Sequence, residues 1–113
     1  MVKGEIWWAA LPPDPRGSEP GKKRPVLIVQ GDELNRRALS TVICATITSN
    51  LLLAGSSPNI LLEKGESGLP ISSVINFSQI LTIDRYYITK LVSMVSKPVL
   101  AKIDESLKFV FDL

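Results

Sequence analysis

Apolar and polar residues alternate over short stretches along most of the chain, which is typical of β-strands. Stretches rich in β-branched and aromatic residues predict strands over residues 4–11, 24–30, 40–47, 59–63, 72–76 and 79–83. Glycine, proline and polar residues separate these strands, with at most one helical turn at residues 31–35. Strands this short, with no long helix between them, predict a small antiparallel barrel or sandwich.

The carboxyl-terminal segment follows a different period. Ser96 is a suitable N-cap residue and Pro98 suits a first helical turn. The apolar residues that follow recur at helical spacing and are Val99, Leu100, Ile103, Leu107, Val110 and Phe111. The predicted fold is therefore mainly β, an SH3-like small antiparallel barrel with a C-terminal helix packed on it, and residues 1–113 form a single domain.

Composition narrows the chemistry. The chain has 113 residues, of which 45% are hydrophobic and 21% are charged, as in ordinary globular domains. Its single cysteine, Cys44, allows no internal disulfide, and the absence of histidine removes the commonest general base and makes a zinc site very unfavourable. No apolar stretch approaches the roughly 18 residues that a membrane span needs, and no secretory signal is evident, so we expect a cytoplasmic protein without a membrane partner.

Positive charge is concentrated in the first half of the chain. Residues 1–57 contain seven Lys and Arg against five Asp and Glu, whereas residues 58–113 contain six of each, so the net +2 arises in the first half. Four of these cations, Arg16, Lys22, Lys23 and Arg24, crowd a Gly/Pro-rich segment. Such a cluster suits a polyanionic partner, and a solvated basic loop is an equally good interpretation of the charge alone.

The basic segment also contains Glu19. The third predicted strand, which begins at Ser40, runs into the polar segment Thr46-Ile47-Thr48-Ser49-Asn50. If these strands pair, a carboxylate, a guanidinium and a hydroxyl can meet. Those groups suffice to cleave RNA through its own 2′-hydroxyl, which requires proton removal and stabilisation of a phosphorane. Motifs for nucleotide hydrolysis and acyl transfer, by contrast, are missing from the sequence.

Four segments resemble one known family. Residues 16–29, RGSEPGKKRPVLIV, resemble the GSEQ-x-x-x-RPVLVV signature of the MazF/PemK/Kid toxins, which are endoribonucleases of type II toxin–antitoxin systems. Residues 41–50, TVICATITSN, are similar to the family's TVIVAPITSN strand. The Gly68-Leu69 and Ser72-Ser73-Val74 segment and residues 79–84, QILTID, resemble later family elements in the same order.

The resemblance implies the CcdB/PemK type of barrel, assembled as a homodimer. It implies sequence-specific cleavage of single-stranded RNA, mRNA included, with neither metal nor cofactor, leaving a 2′,3′-cyclic phosphate and a 5′-hydroxyl. It also implies neutralisation by a cognate antitoxin protein and DNA binding together with that antitoxin. The expected catalytic residues are Arg24, Thr48 and Glu19.

Side-chain chemistry suggests a role for each catalytic residue. Arginine is protonated near neutral pH and has no acceptor atom, so Arg24 is expected to stabilise the phosphorane and is a candidate proton donor rather than the base. Glu19 is the local group that can accept the 2′-proton, and Thr48 is expected to position the scissile phosphate. The residues expected to bind RNA are Arg16, Ser18, Lys22, Lys23, Ser49, Asn50 and Gln79.

Two departures from the family pattern bear on activity. Pro20 replaces the usual Gln of the GSEQ motif, and Leu81 stands where many relatives have Arg.

The main alternative to an endoribonuclease is a protein that binds without catalysis, either a CcdB-like topoisomerase inhibitor or a silent barrel that binds RNA or antitoxin. Trp7 and Trp8 are expected on opposite faces of the first strand, so at most one of them can lie in the core.

Overall fold

The computed structural model describes residues 1–11 and 23–113 of the chain. Its strands are β1 (Glu5–Ala10), β2 (Lys23–Ile28), β3 (Thr41–Thr48), β4 (Ile60–Leu62), β5 (Ser73–Asp84) and β6 (Ile88–Met94). The α-helices of the described residues are α1 (Asp32–Asn35) and α2 (Lys97–Phe111), and short 3-10 helices cover Leu51–Gly55 and Arg85–Tyr87. No helix within these ranges has both the length and the apolar character that crossing a membrane requires.

The six strands form one antiparallel sheet in the order β4-β5-β3-β2-β1-β6. The sheet curls into a half-barrel, and α2 packs on one of its faces. This arrangement confirms the predicted mainly β barrel with a C-terminal helix. Because β1 lies between β2 and β6, the first strand of the chain is an interior strand of the sheet.

The alternation along β3 divides the apolar residues between two clusters, one on each face of the sheet. Ala45 and Ile47 belong to the helix-side cluster, which also contains the fully buried Ile103 of α2. Val42 and Cys44 belong to the other cluster and are also fully buried. Each fully buried aliphatic side chain stabilises the fold by about 1.5–3 kcal/mol relative to exposure. Two-sided burial of this kind makes β3 a rigid strand on which to hold a site.

Helix α2 begins as the sequence predicts. The Ser96 hydroxyl accepts a hydrogen bond from the Val99 N–H at 3.4 Å, and Pro98 lies in the first turn, where its missing N–H costs nothing. The helix is tied to the amino terminus by the Lys3–Asp104 ion pair. The carbonyl of Gly4 also accepts a hydrogen bond from the Val95 N–H at 3.0 Å, just before the helix.

The prediction of two separate strands over residues 72–76 and 79–83 is wrong. Both are parts of β5, which bulges where Ala45 pairs with Ile80 but Thr46 pairs with Asn76. Three residues of β5, Phe77, Ser78 and Gln79, therefore oppose a single step of β3. Neighbouring side chains satisfy backbone N–H groups of the bulge: Asn59 accepts from Phe77 at 2.9 Å, and Asn76 accepts from Ser78 at 3.1 Å.

Two further elements are missing from the sequence-based prediction. Strand β6 pairs with β1, and residues 51–55 form a 3-10 helix rather than an irregular loop. The amide of Asn50 caps that helix, because its oxygen accepts a hydrogen bond from the Leu52 N–H at 3.2 Å. The element after β3 is thus fixed by the residue that ends the TSN segment.

Candidate active site

Pro25 explains why the sheet opens between β2 and β3. These strands pair at Val26–Thr46, Leu27–Ala45 and Ile28–Cys44, and the Val29 N–H donates to the Ile43 carbonyl. Backbone groups of alternate residues point to the same neighbour in an antiparallel ladder, so Pro25 is the next position that faces β3. Proline has no N–H to donate to the Ile47 carbonyl, and the pairing stops there.

A cleft of about 320 Å³ lies at this opened end of the strands. Continuing the β2–β3 register two residues past Val26–Thr46 puts Arg24 across from Thr48, and both residues line the cleft. The ladder has ended by this point, but both residues line the same cleft, so both side chains can approach a phosphate bound in it. Arg24 and Thr48 are half-buried, which leaves both accessible from the cleft.

The cleft is lined from both faces of the sheet because it lies at the strand ends. By the alternation of the strands, Arg24 and Thr48 lie on the face of the sheet that carries the cluster of Val26 and Cys44. Pro25 and Ile47 lie on the helix-side face. The cleft therefore combines a polar edge with an apolar floor. Its lining residues are Trp8, Lys23, Arg24, Pro25, Ile47, Thr48, Ser49, Leu69, Pro70, Ile71 and Ser73.

The hydroxyl of Thr48 has a defined orientation. Its oxygen accepts a hydrogen bond from the Asn50 backbone N–H at 3.2 Å. A hydroxyl has one donor and two acceptor positions, so this contact occupies an acceptor position and leaves the O–H to donate. The Asn50 amide oxygen is engaged at the same time in capping the following 3-10 helix. The TSN segment thus folds back on itself and leaves the Thr48 O–H available to a ligand.

One side of the cleft is an apolar wall formed by Leu69, Pro70 and Ile71, in the segment that leads into β5. This wall is held against β6, because the Ser93 hydroxyl donates to the Ser67 carbonyl. Gly68 has a φ of +76°, and a Cβ at this position would lie 3.3 Å from Cγ1 of Val92. The close approach to β6 therefore favours glycine.

Trp8 and Trp7 lie on opposite faces of β1, as predicted. Trp7 packs against the cluster of Val26 and Cys44, and Trp8 packs at the margin of the helix-side cluster and lines the cleft. The Lys23 ammonium lies 5.9 Å from the centroid of the Trp8 ring, within cation–π range. Trp8 is half-buried and Lys23 is exposed.

Several predicted RNA-binding residues lie at or near the cleft. Lys23 and Ser49 line it, whereas Asn50 and Gln79 do not. Asn50 follows the lining residues directly, and Gln79 is placed by the β5 bulge, where its side-chain oxygen accepts a hydrogen bond from the Thr46 hydroxyl at 3.0 Å. Gln79 is exposed, and its hydrogen-bond partner Thr46 lies on the same face of the sheet as Thr48. Its role in RNA binding stays a prediction.

The remaining predicted site residues lie outside the described part of the chain. They are Glu19, Arg16, Ser18 and Lys22. Over residues 1–11 and 23–113, no group of three or more His, Cys, Asp or Glu side chains is arranged to hold a metal ion. Cys44 is buried in the cluster that contains Val26 and Val42, and desolvation raises the pKa of its thiol to about 11, so it acts as a packing residue.

Comparison with known proteins identifies the family. Residues 2–111 match the family described as PemK-like, MazF-like toxins of type II toxin–antitoxin systems. The chain belongs to this toxin family. It is 41% identical to Endoribonuclease MazF6 of Mycobacterium tuberculosis over 113 residues, which cover 100% of this chain and 98% of the relative. The family resemblance carried by the sequence motifs is thereby confirmed.

Solved structures agree with this assignment. The Mycobacterium tuberculosis toxin MazF-mt6 has a TM-score of 0.77 and 25% identity to this family member, over 96% of this chain and 97% of that one. A structure described as an endoribonuclease in complex with its cognate antitoxin, from a mycobacterial species, has a TM-score of 0.69. At 18% identity, over 100% of this chain and 94% of that one, this second likeness concerns the fold.

Proposed function

We propose that this toxin-family protein is an endoribonuclease that cuts single-stranded RNA, mRNA included, at specific sequences. The observation that supports this most is the placement of Arg24 and Thr48 in one cleft, at the opened end of two adjacent strands. A relative that is 41% identical over its full length is named an endoribonuclease. The 2′-hydroxyl attacks the adjacent phosphorus, the bond to the 5′-oxygen breaks, and the products are a 2′,3′-cyclic phosphate and a 5′-hydroxyl.

Arg24 is assigned to the charge that develops on the phosphorane. Its planar guanidinium offers paired donors that match phosphate oxygens, and such a preorganised donor is typically worth about 3 kcal/mol in the transition state. A guanidinium is a donor without an acceptor atom, so Arg24 does not act as the base. Its second assigned role is to protonate the leaving 5′-oxygen, after which the proton that Glu19 has taken returns to the guanidinium through solvent.

Thr48 is assigned to positioning. Its hydroxyl oxygen is engaged by the Asn50 N–H, so its proton is available for a non-bridging phosphate oxygen. Glu19 is assigned as the base that takes the 2′-proton, because a carboxylate is the acceptor that this histidine-free chain can supply near the basic segment. Arg16, Ser18 and Lys22 are assigned to RNA binding together with Lys23, Ser49, Asn50 and Gln79.

The proposal includes partners and place of action. We expect a homodimer in the cytoplasm, neutralised by an antitoxin protein, in keeping with the description of the family as toxins of toxin–antitoxin systems. No metal or cofactor is required by the reaction as written. The competing function is a barrel that binds RNA, antitoxin or a topoisomerase without catalysis.

The decisive experiment is RNA cleavage in the presence of EDTA, with the new ends mapped by mass spectrometry. We expect cleavage to survive chelation and to leave cyclic phosphate ends. Arg24→Ala should lower the rate by about two to three orders of magnitude with unchanged thermal unfolding. Lys102→Ala is the matched control, because it removes an exposed cation on α2 away from the cleft. Bound but intact RNA, or an Arg24→Ala variant as fast as the control, would contradict the proposal.

A further inference from the structure

A row of paired residues crosses three strands on the helix-side face of the sheet, next to the cleft. Trp8 of β1 pairs with Pro25 of β2 on one side and with Lys90 of β6 on the other. Directly paired residues of antiparallel strands lie on the same face of a sheet. Lys90 therefore lies beside Trp8, although it is distant in sequence and outside the basic segment of the first half.

Trp8 has a lysine nearby on each flanking strand, Lys23 on β2 and Lys90 on β6. Lys23 approaches the ring to 5.9 Å from β2, and Lys90 is its register neighbour on the edge strand β6. Both lysines are exposed, and Trp8 is half-buried with its ring at the cleft. Strand β6 ends the sheet, so a strand of nucleic acid can run past Lys90 without crossing another element of the sheet.

The surroundings of Trp8 suit a planar, apolar-faced group that carries negative charge at its ends. Pro25 and the wall of Leu69, Pro70 and Ile71 supply apolar surface around the ring. The wall is fixed to β6 through the Ser93–Ser67 hydrogen bond, so this slot exists before a ligand arrives. A nucleotide has these properties, because its base stacks on aromatic rings and its flanking phosphates bind lysine ammonium groups.

We propose that Trp8, Lys23 and Lys90 form a nucleotide platform that holds the residue next to the scissile phosphate. This inference rests on the proposed cleavage of single-stranded RNA at Arg24 and Thr48. The base stacks on Trp8, Lys23 moves from the ring to the phosphate on the Arg24 side, and Lys90 binds the phosphate on the far side. An exposed cation–π contact is weak, so Lys23 gives it up readily for a phosphate.

The test measures binding separately from cleavage. Wild-type protein is first used to cut a mixed RNA and to map the cut sequence. A ten-residue RNA of that sequence, with 2′-O-methyl groups throughout, is then the binding probe, since it cannot be cleaved. A wild-type protein that neither cuts nor binds RNA overturns the proposed function and this inference together. Wild-type cutting with unaffected variants overturns this inference alone.

Trp8→Leu keeps an apolar side chain but removes the aromatic face. We expect the Kd for the probe to rise about 5- to 100-fold, with a smaller change in the cleavage rate at saturating RNA. An abasic residue at the stacked position should weaken wild-type binding by a similar factor and should have no further effect on Trp8→Leu. If an abasic residue and the Trp8→Leu substitution weaken binding additively at every position of the probe, stacking on Trp8 is contradicted. Trp8→Phe, which keeps a smaller ring, provides the test if the leucine variant does not fold.

Lys90→Gln tests the far phosphate. One lost phosphate contact should weaken binding and reduce the slope of log K against log salt by about 0.7, the value for single strands. Lys102→Gln removes the same charge from an exposed position on α2 that does not line the cleft, and should change neither quantity. Equal slopes for wild-type, Lys90→Gln and Lys102→Gln proteins would overturn the assignment of Lys90.

Discussion

Replacing Thr48 with valine tests the orientation of its hydroxyl. Valine keeps the size and branching of threonine but cannot donate to a phosphate or accept from the Asn50 N–H, which now lies 3.2 Å from the Thr48 oxygen. Thr48→Ser restores both functions and removes only the methyl group. The pair of variants therefore separates the hydroxyl from the packing of the side chain.

Thr48→Val is expected to have a large effect on the cleavage rate and a small effect on the free energy of unfolding. A hydrogen bond to a charged phosphate contributes about 1.5–3 kcal/mol, so Thr48→Val should lower the cleavage rate about 10- to 100-fold. Folding should suffer little, because Asn50 is exposed and water can replace the lost acceptor. The free energy of unfolding should fall by about 1 kcal/mol or less, which lowers Tm by a few degrees.

The assay is single-turnover cleavage of a mapped RNA in EDTA, followed alongside thermal unfolding of each variant. We expect Thr48→Ser within about threefold of wild type and Thr48→Val slower by the larger factor. A folded valine variant that cleaves at the wild-type rate would refute the hydroxyl's role as a donor. Equal losses in the serine and valine variants would refute it as well, because they would assign the effect to the methyl group.

Two further predictions concern the opened ladder and the amino-terminal polar contacts. Pro25→Ala supplies an N–H for the Ile47 carbonyl, so we expect stability within about 1 kcal/mol of wild type but slower cleavage as the strand ends close; a protected residue-25 amide with unchanged cleavage would count against this. Hydrogen bonds to Asp32 from the Lys3 backbone and the Asn35 side chain lower the pKa of that carboxyl. The resulting stability is present above the unfolded pKa and lost as pH falls below about 4, so urea midpoints should drop more in acid for wild type than for Asp32→Asn.

The strands that alternate clearly were predictable from the sequence, whereas β6 was not. All seven residues of β6, Ile88–Met94, are half-buried or exposed. An edge strand of this kind has little hydrophobic alternation to detect. Its partner, β1, could be predicted because Ile6 and Ala9 are fully buried.

The splitting of β5 has a different physical cause. Ile75 and Phe77 belong to the helix-side cluster, whereas beyond the bulge Leu81 and Ile83 belong to the other one and Ile80 packs on the helix side. The bulge inserts three residues, so residues of odd number face the helix before it and residues of even number face the helix after it. One continuous strand therefore has the hydrophobic pattern of two strands. A bulge cannot be located from the pattern alone, because its position depends on the pairing with β3.

Part of the candidate site could also be predicted from the sequence, and part could not. Arg24 and Thr48 could be identified from motifs and brought together by pairing two consecutive strands. The apolar wall at Leu69–Ile71 could not, because its position depends on a contact between Ser67 and Ser93, far apart in sequence. Lys90 was missed for the same reason, since only the β1–β6 register places it beside Trp8.

The pairing of the first strand with the last has a consequence for synthesis. Strand β1 remains without its β6 neighbour, and the wall at Leu69–Ile71 without its support, until residues 88–94 have been made. Contacts between the two ends of a chain form late, because they close the longest loop. A ribosome-bound fragment that lacks this strand therefore has no support for the wall of the cleft, and the finished cleft exists only once β6 has been translated and paired.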